Sequence, residues 1–388
     1  MRVIALALLA SLAVTPAAAG VIFSADETRA ILAHGPWPAP WQPDASNRVS
    51  GSAAGIDYGQ RLFFDPRLSA NGKFACSTCH VPALAWSDRR RIGMGQVPLG
   101  RNTPSVLNAR HERWLGRDGA SDSLWSHALK PLTDEREMGN SVERLAAFLR
   151  ADADMNCRHA RAFGAVPADD LLLAVEIAKA LAAFQESLVT PRTSFDRFRD
   201  ALAKGDRAGM ARYSDAAKRG LRIFVGRGNC AVCHFGPTFS NGEFADIGVP
   251  FFLAPGKVDS GRHGGIARVQ QDRFNRLSSF SDAGNPADAV GIRHLVQEHR
   301  HWGEFKVPGL REAVRTGPYM HAGSHATLGD VVRHYSELDV DRLHADGERI
   351  LKPLNLNPRE SADLVAFLKS LSVAHLPGAN RPPTGSCS

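Results

Sequence analysis

Two short stretches carry most of the chemistry in this chain: Cys76-Ser77-Thr78-Cys79-His80 and Cys230-Ala231-Val232-Cys233-His234. Two thiols at this spacing can form thioethers with the vinyl groups of a porphyrin, and the adjacent imidazole can bind its iron. A zinc site built from the four cysteines would not need a histidine directly after each pair, and the pairs lie far apart in sequence. A thioredoxin-like C-x-x-C needs a βαβ setting that the flanking residues do not supply. The expectation is therefore two covalently bound c-type haems.

The elements that must position them read as mostly α. Ser24-x-x-Glu27 has the form of a capping box opening a first helix. From Pro167 to Val189 apolar residues (Leu171, Val175, Ala178, Leu181, Phe184, Leu188) recur at three-to-four spacing, which predicts a helix with a buried face. Asn357-Pro358 supplies a cap and a first-turn proline for another helix. The stretch Val249 to Pro308 shows no such pattern and is expected to be ordered only by packing or by a cofactor.

A degenerate repeat runs through the chain. Gly59-Gln60-Arg61-Leu62-Phe63 precedes the first haem motif and Gly220-Leu221-Arg222-Ile223-Phe224 the second. Trp86-Ser87-Asp88 with Ile92-Gly93 is echoed by Phe239-Ser240-Asn241 with Ile247-Gly248. The fold class expected is two tandem cytochrome c-type haem domains with long irregular loops, residues 20–190 and 191–388.

The sequence resembles the bacterial di-haem cytochrome c peroxidase/MauG family. The resemblance rests on Arg61 to Ser69, Arg101-Asn102-Thr103-Pro104-Ser105, Phe305 to Arg311 and Gly317 to Ser324, together with the two haem motifs. Within that family it is similar in general outline to the MauG-like, methanobactin-associated MbnH group. The resemblance implies that the haem on His80 reacts with hydrogen peroxide and the haem on His234 stores or relays electrons. It also implies a calcium ion between them, contacted by Asn102 and the carbonyls of Thr316 and Pro318. Oxygen ligands suit calcium.

Further roles follow by position. Glu137 matches the family's distal acid, able to shuttle the peroxide proton; the competing reading is a solvated glutamate in the run Asp134 to Glu137. His127 stands at a neighbouring glutamine position, as a proton-transfer aid or a hydrogen-bonding pocket residue. Tyr335 stands where peroxidases of the family ligate the second haem with methionine and MauG-like members with tyrosine. An oxygen donor favours ferric and higher iron states, whereas a thioether raises the potential. A packed core tyrosine, with His321, His325 and His334 as rival ligands, is the alternative.

Two positions depart from the pattern. Met94 replaces an activation histidine and is a ligand, a lid or packing; Arg117 replaces the inter-haem tryptophan ahead of Asp118-Gly119. Arginine cannot carry a hole, so Trp114 or Trp125 is the candidate electron relay. The function expected is peroxide-driven formation of high-valent iron and oxidation of aromatic residues on a partner protein. The alternatives are a cytochrome c peroxidase drawing electrons from a small redox protein, and a plain electron carrier.

The chain opens with Met1-Arg2, an apolar run from Val3 to Val14 and Ala17-Ala18-Ala19. This is expected to be a cleaved export signal spanning residues 1–19, placing the protein in the periplasm. No apolar stretch is long enough for a membrane span. The net charge of +7 comes from scattered Lys and Arg, which argues against nucleic acid as partner. Cys157 and Cys387 remain for a disulfide, although sequence leaves open whether they meet.

Overall fold

The computed structural model describes residues 21–250, 252–254, 257–284, 289–347, 350–376 and 385–387. The expected export signal lies outside the described residues.

Helices make up nearly all of the regular structure. In the first part of the chain they are α1 (Ala25–Leu32), α2 (Ala53–Phe63), α3 (Cys76–Cys79), α4 (Leu124–Thr133), α5 (Val142–Ala151), α6 (Ala153–Phe163) and α7 (Asp170–Glu186). There follow α8 (Ser194–Lys204), α9 (Arg207–Ala211), α10 (Asp215–Val225), α11 (Gly261–Gln271), α12 (Val290–Arg293), α13 (Leu328–Ser336) and α14 (Pro358–Ser370). Four short strands form two antiparallel pairs, β1 (Phe244–Ala245) with β4 (Phe305–Lys306) and β2 (Phe252–Ala254) with β3 (Lys257–Val258).

The caps read from the sequence are present: Ser24 and Glu27 close a reciprocal box on α1, and Asn357 and Glu360 do so on α14. Helix α7 falls inside the expected span and is buried nearly all round. Its polar residues are paired accordingly, Lys179 Nζ donating to Asp282 Oδ2 at 2.6 Å and to the Phe280 carbonyl at 2.7 Å.

Helix α11 is the element the sequence did not announce. Its buried positions are Gly261, Arg262, Gly265, Ile266 and Val269, so no apolar stripe marks it. It packs by close approach instead: a side chain at Gly265 would run into the Asp118 carbonyl. The Arg262 guanidinium lies 4.0 Å from the Phe244 ring centre and 4.6 Å from that of Trp114.

Two large apolar cores and a smaller cluster of Trp114, Val269, Ala289 and Ile292 occur among the described residues. One gathers residues from Tyr58 to Leu188 around α2, α4 and α7; the other gathers Ile31 and residues from Phe195 to Leu371 around α10 and α14. Each is built on a helix crossing that needs glycine. A side chain at Gly59 would strike the Ala180 carbonyl of α7, and one at Gly220 would strike the Asp363 carbonyl of α14. The repeat legible around these glycines is thus a repeat of packing.

Later segments match as well. Asn108 and Glu312 both take left-handed backbone (φ 62° and 60°), each opening a short 3₁₀ turn. The isolated bridge Leu115–Ser121 corresponds to Tyr319–His325, and the caps Ser123 on α4 and Thr327 on α13 occupy the same place.

Two of the contacts that cross the boundary expected near residue 190 involve the ends of the described chain. Helix α1, assigned by sequence to the first unit, packs on α8 and α10 of the second core. At the other end, Cys387 is disulfide-bonded to Cys157 on α6. Burial of Ile31 against the second core decides the first contact, since α1 has no apolar partner of its own.

Candidate haem and peroxide site

Both haem motifs form tight turns at the start of a matching chain path. His80 Nδ1 lies 3.1 Å from the Pro104 carbonyl and 3.3 Å from that of Trp86. Carbonyls can only accept, so Nδ1 carries the proton and Nε2 keeps its lone pair for a metal. His234 repeats this: Nδ1 lies 3.0 Å from the Phe239 carbonyl, with the Pro308 carbonyl as a second partner. Burial lowers the pKa of both rings, opposed by those carbonyls, which keeps them neutral as iron ligation requires.

Trp86 and Phe239 turn their carbonyls inward because both take left-handed backbone, φ 59° and 58°. For a bulky residue this conformation costs on the order of 1–2 kcal/mol. The hydrogen bond to the ligand histidine accounts for its presence twice. Sequence flagged the pair only as a repeat, without a role.

His34 was not anticipated at all. It is buried, its Nε2 lies 3.1 Å from the His234 carbonyl, and its ring stacks on Phe239 at 4.8 Å. A lone histidine before α2 carries no spacing signal that would have found it.

A cavity of about 820 Å³ opens on Cys76, Cys79 and His80 and extends to the second half at Lys306. Cofactor pockets span roughly 300–1,000 Å³. The donor set, the histidine tautomer and the cavity size fit a covalently held haem, with Cys76 and Cys79 as attachment points and His80 as ligand.

Glu137 and His127 both line this cavity. The turn Asp134 to Glu137 is closed by Glu137 N donating to the Asp134 carbonyl at 2.9 Å. Asp134 engages Arg136 at 2.6 Å, so Arg136 is turned away and Glu137 has no ion pair among the described residues. Burial raises the Glu137 carboxyl, Asp134 adds to this, and Arg136 opposes it. Glu137 is thus half-buried and facing the pocket, unlike its solvated neighbour Glu135. His127, on α4, is pushed down to about 3 by burial and by the Lys130 and Lys306 ammonium groups. It is a neutral imidazole at physiological pH, 3.4 Å from Ser121 Oγ.

The Met94 loop borders the cavity with its backbone. Gln96 N donates to the Glu137 carbonyl at 3.3 Å, and the Cys79 thiol faces the Met94 carbonyl at 3.6 Å. A side chain at Gly95 would come within 2.6 Å of Glu137 Cα. The Met94 side chain is itself 37 % exposed and does not line the cavity, whereas Gly95 beside it does.

In the second half, Tyr335 of α13 lies beside the second haem motif. Burial raises its phenol well above the ordinary range. One rival is committed elsewhere, His334 Nε2 lying 2.8 Å from the Ile247 carbonyl; His321 stacks on Phe305 at 3.7 Å, and its buried Nε2 has no partner among the described residues. His325 Nδ1 bonds Ser324 Oγ at 2.8 Å.

Trp114 and Trp125 are buried, yet neither lines the cavity. Trp125 Nε1 donates to Ser46 Oγ at 2.9 Å, with Lys179 Nζ 5.4 Å from the ring centre.

The residues expected around calcium do meet, but in an arrangement that does not fit the ion. Asn102 Nδ2 donates to the Pro318 carbonyl at 2.9 Å, while its Oδ1 accepts from Arg117 Nη2 at 2.6 Å. Two of the three oxygens assigned to a metal, Asn102 Oδ1 and the Pro318 carbonyl, are therefore engaged by N–H donors. Thr316 lines the cavity nearby.

Comparison with known proteins now agrees with this geometry. Residues 53–204 match the family model described as di-haem cytochrome c peroxidase. The chain is 36 % identical over 318 residues to the methylamine utilization protein MauG of Methylorubrum extorquens, covering 81 % of this chain and 77 % of that one. It is 30 % identical to the cytochrome-c peroxidase IdrP1 of Pseudomonas sp., over 94 % of this chain and 95 % of that one. Among solved structures it resembles a MauG-like protein associated with microbial copper homeostasis: TM-score 0.65, 26 % identity, 88 % of this chain and 96 % of that one. The chain belongs to the di-haem cytochrome c peroxidase/MauG family, whose members are di-haem oxidoreductases. Membership carries two c-type haems with it. Among the described residues, no helix is long and apolar enough to cross a membrane.

Proposed function

We propose that this chain is a MauG-like enzyme of the periplasm that uses hydrogen peroxide to oxidise aromatic residues of a partner protein. When bound, the haems supply iron centres that bind peroxide and hold oxidising equivalents. The chain's own residues do the rest. Cys76, Cys79 and His80 hold one group, and Cys230, Cys233 and His234 the other. Glu137, its carboxyl raised by burial, takes the proton from the near oxygen of peroxide as carboxylate and hands it to the departing oxygen. His127 stays neutral and offers a second hydrogen-bonding group on the same cavity wall. The Met94–Gln96 backbone narrows access at the rim.

The observation that carries this reading over its rivals is the placement of Tyr335 beside Cys230 and Cys233. An oxygen donor there disfavours the ferrous state that a small cytochrome would fill. Tyr335→Met is expected to raise the second haem's potential, shorten the lifetime of the peroxide-oxidised protein and increase oxidation of a small c-type cytochrome. Rapid turnover of reduced cytochrome c by the native protein, with an unchanged second-haem spectrum in Tyr335→Phe, would overturn it.

The second reading, a cytochrome c peroxidase, has one observation in its favour. Cations lie against both candidate relays, Arg262 at Trp114 and Lys179 at Trp125, and a positive charge there makes removing an electron costlier.

A further inference from the structure

Arg117 sits at the seam between the two halves and, unlike its neighbours Arg101 and Arg268, has no carboxylate partner among the described residues. Arg101 is clamped by Asp118 at 2.7 Å and doubly by Asp259 at 2.6 and 2.7 Å. Arg268 also reaches Asp118. Arg117 forms no ion pair among the described residues; its contact is the neutral Oδ1 of Asn102, and its Nε is buried without a partner. The guanidinium thus takes the Asn102 oxygen that a calcium ion at this place would use.

The amide of Asn102 reports which cation is there. If a metal bridged the site, Asn102 Oδ1 and the Pro318 carbonyl would both turn their lone pairs on it. Instead Nδ2 donates to Pro318 and Oδ1 receives Nη2. Flipping the amide would set two acceptors against each other at one end and two donors at the other. Only the present orientation satisfies both contacts. A divalent ion beside an arginine, with no carboxylate among these contacts, would also meet strong repulsion.

We propose that Arg117 replaces the inter-haem calcium: its guanidinium is a built-in cation on Asn102 Oδ1, leaving Asn102 Nδ2 to tie the first half to the Pro318 carbonyl of the second. The chain's neighbourhood of Arg117 supports the exchange. Lys306 N donates to the Arg117 carbonyl at 2.8 Å, which fixes the backbone from which the side chain reaches Asn102. Burial pulls the guanidinium down only to about 10, so it stays charged under physiological conditions. The proposal stands whether the enzyme oxidises a protein or a small cytochrome, because it concerns the seam and not the substrate.

The holoprotein, dialysed against EGTA, is expected to contain no stoichiometric calcium by elemental analysis. Its electron paramagnetic resonance spectrum and melting temperature should be the same with EGTA or with millimolar calcium. About one calcium per chain surviving dialysis, or a spectrum that changes on chelation, would overturn the proposal. Arg117→Ala should melt several degrees lower, with calcium recovering part of the loss. A melting temperature unchanged by the substitution would show that the guanidinium fills no cation site. Should Arg117→Ala fail to accumulate, Arg117→Lys keeps the charge but not the fork, and the native measurements decide alone.

Discussion

Arg117 and His321 accept equivalent main-chain hydrogen bonds across the seam: Lys306 N donates to the Arg117 carbonyl at 2.8 Å, and Asn102 N to the His321 carbonyl at 3.0 Å. Asn102 and Lys306 each precede a proline carbonyl that faces a ligand histidine, Pro104 toward His80 and Pro308 toward His234. The two halves thus exchange matching contacts, as the two sides of a two-fold interface do.

Glu137→Gln should slow the reaction with peroxide by about 10²-fold, the usual scale for a lost proton shuttle. Burial raises the Glu137 carboxyl. The native rate should therefore climb with pH through that raised pKa and then level, and the climb should vanish in the variant. Stopped-flow spectra across pH measure both. His127→Gln, removing a neutral imidazole, should cost about ten-fold or less. An unchanged rate in Glu137→Gln would return that residue to an ordinary charge at the pocket mouth.

The two helix crossings make a paired prediction. Gly59→Ala and Gly220→Ala each force a methyl against a backbone carbonyl of the facing helix. Each should lose about 2–3 kcal/mol in denaturant melts, because a helix backbone must move. Gly284→Ala, with nothing within 4 Å, is the control and should be near neutral. Equal stability of all three would mean that the crossings are looser than drawn.

Glu186 gives a pH signature. Burial lifts its carboxyl from 4.5 to about 7, against the Ser50 hydroxyl at 2.7 Å, which lowers it. Between those values the folded chain binds the proton more tightly than the unfolded chain, so stability falls as pH rises from about 4.5 to about 7. Glu186→Gln should abolish this slope and gain about 2–3 kcal/mol at pH 8. Urea melts at several pH values test it; a slope unaltered by the substitution assigns it to another group.

The Cys157–Cys387 disulfide closes a loop over a sequence separation of 230 residues. The double substitution Cys157→Ser/Cys387→Ser should lower stability by about 2–4 kcal/mol. It should also free the C-terminal tail for proteolysis, while a non-reducing peptide map of the native protein should show the two peptides joined.

Much of this was legible in one dimension, wherever the physics is local. A thioether pair with its histidine is contiguous, so the haem attachment segments needed no fold to be read. Caps such as Ser24–Glu27 and Asn357–Glu360 act over one helical turn, and the stripe of α7 is its own evidence. What required the folded chain acts across distance. Helix α11 is held by glycine contacts and by Arg262 between two aromatic rings, which leave no period in its sequence. His34 matters only because the chain returns it to the His234 carbonyl. Sequence put calcium among Asn102 and the carbonyls of Thr316 and Pro318 and noted Arg117 as a missing tryptophan. Only the tertiary structure brought that guanidinium onto Asn102 Oδ1, because a side chain's charge belongs to whichever lone pairs folding sets before it.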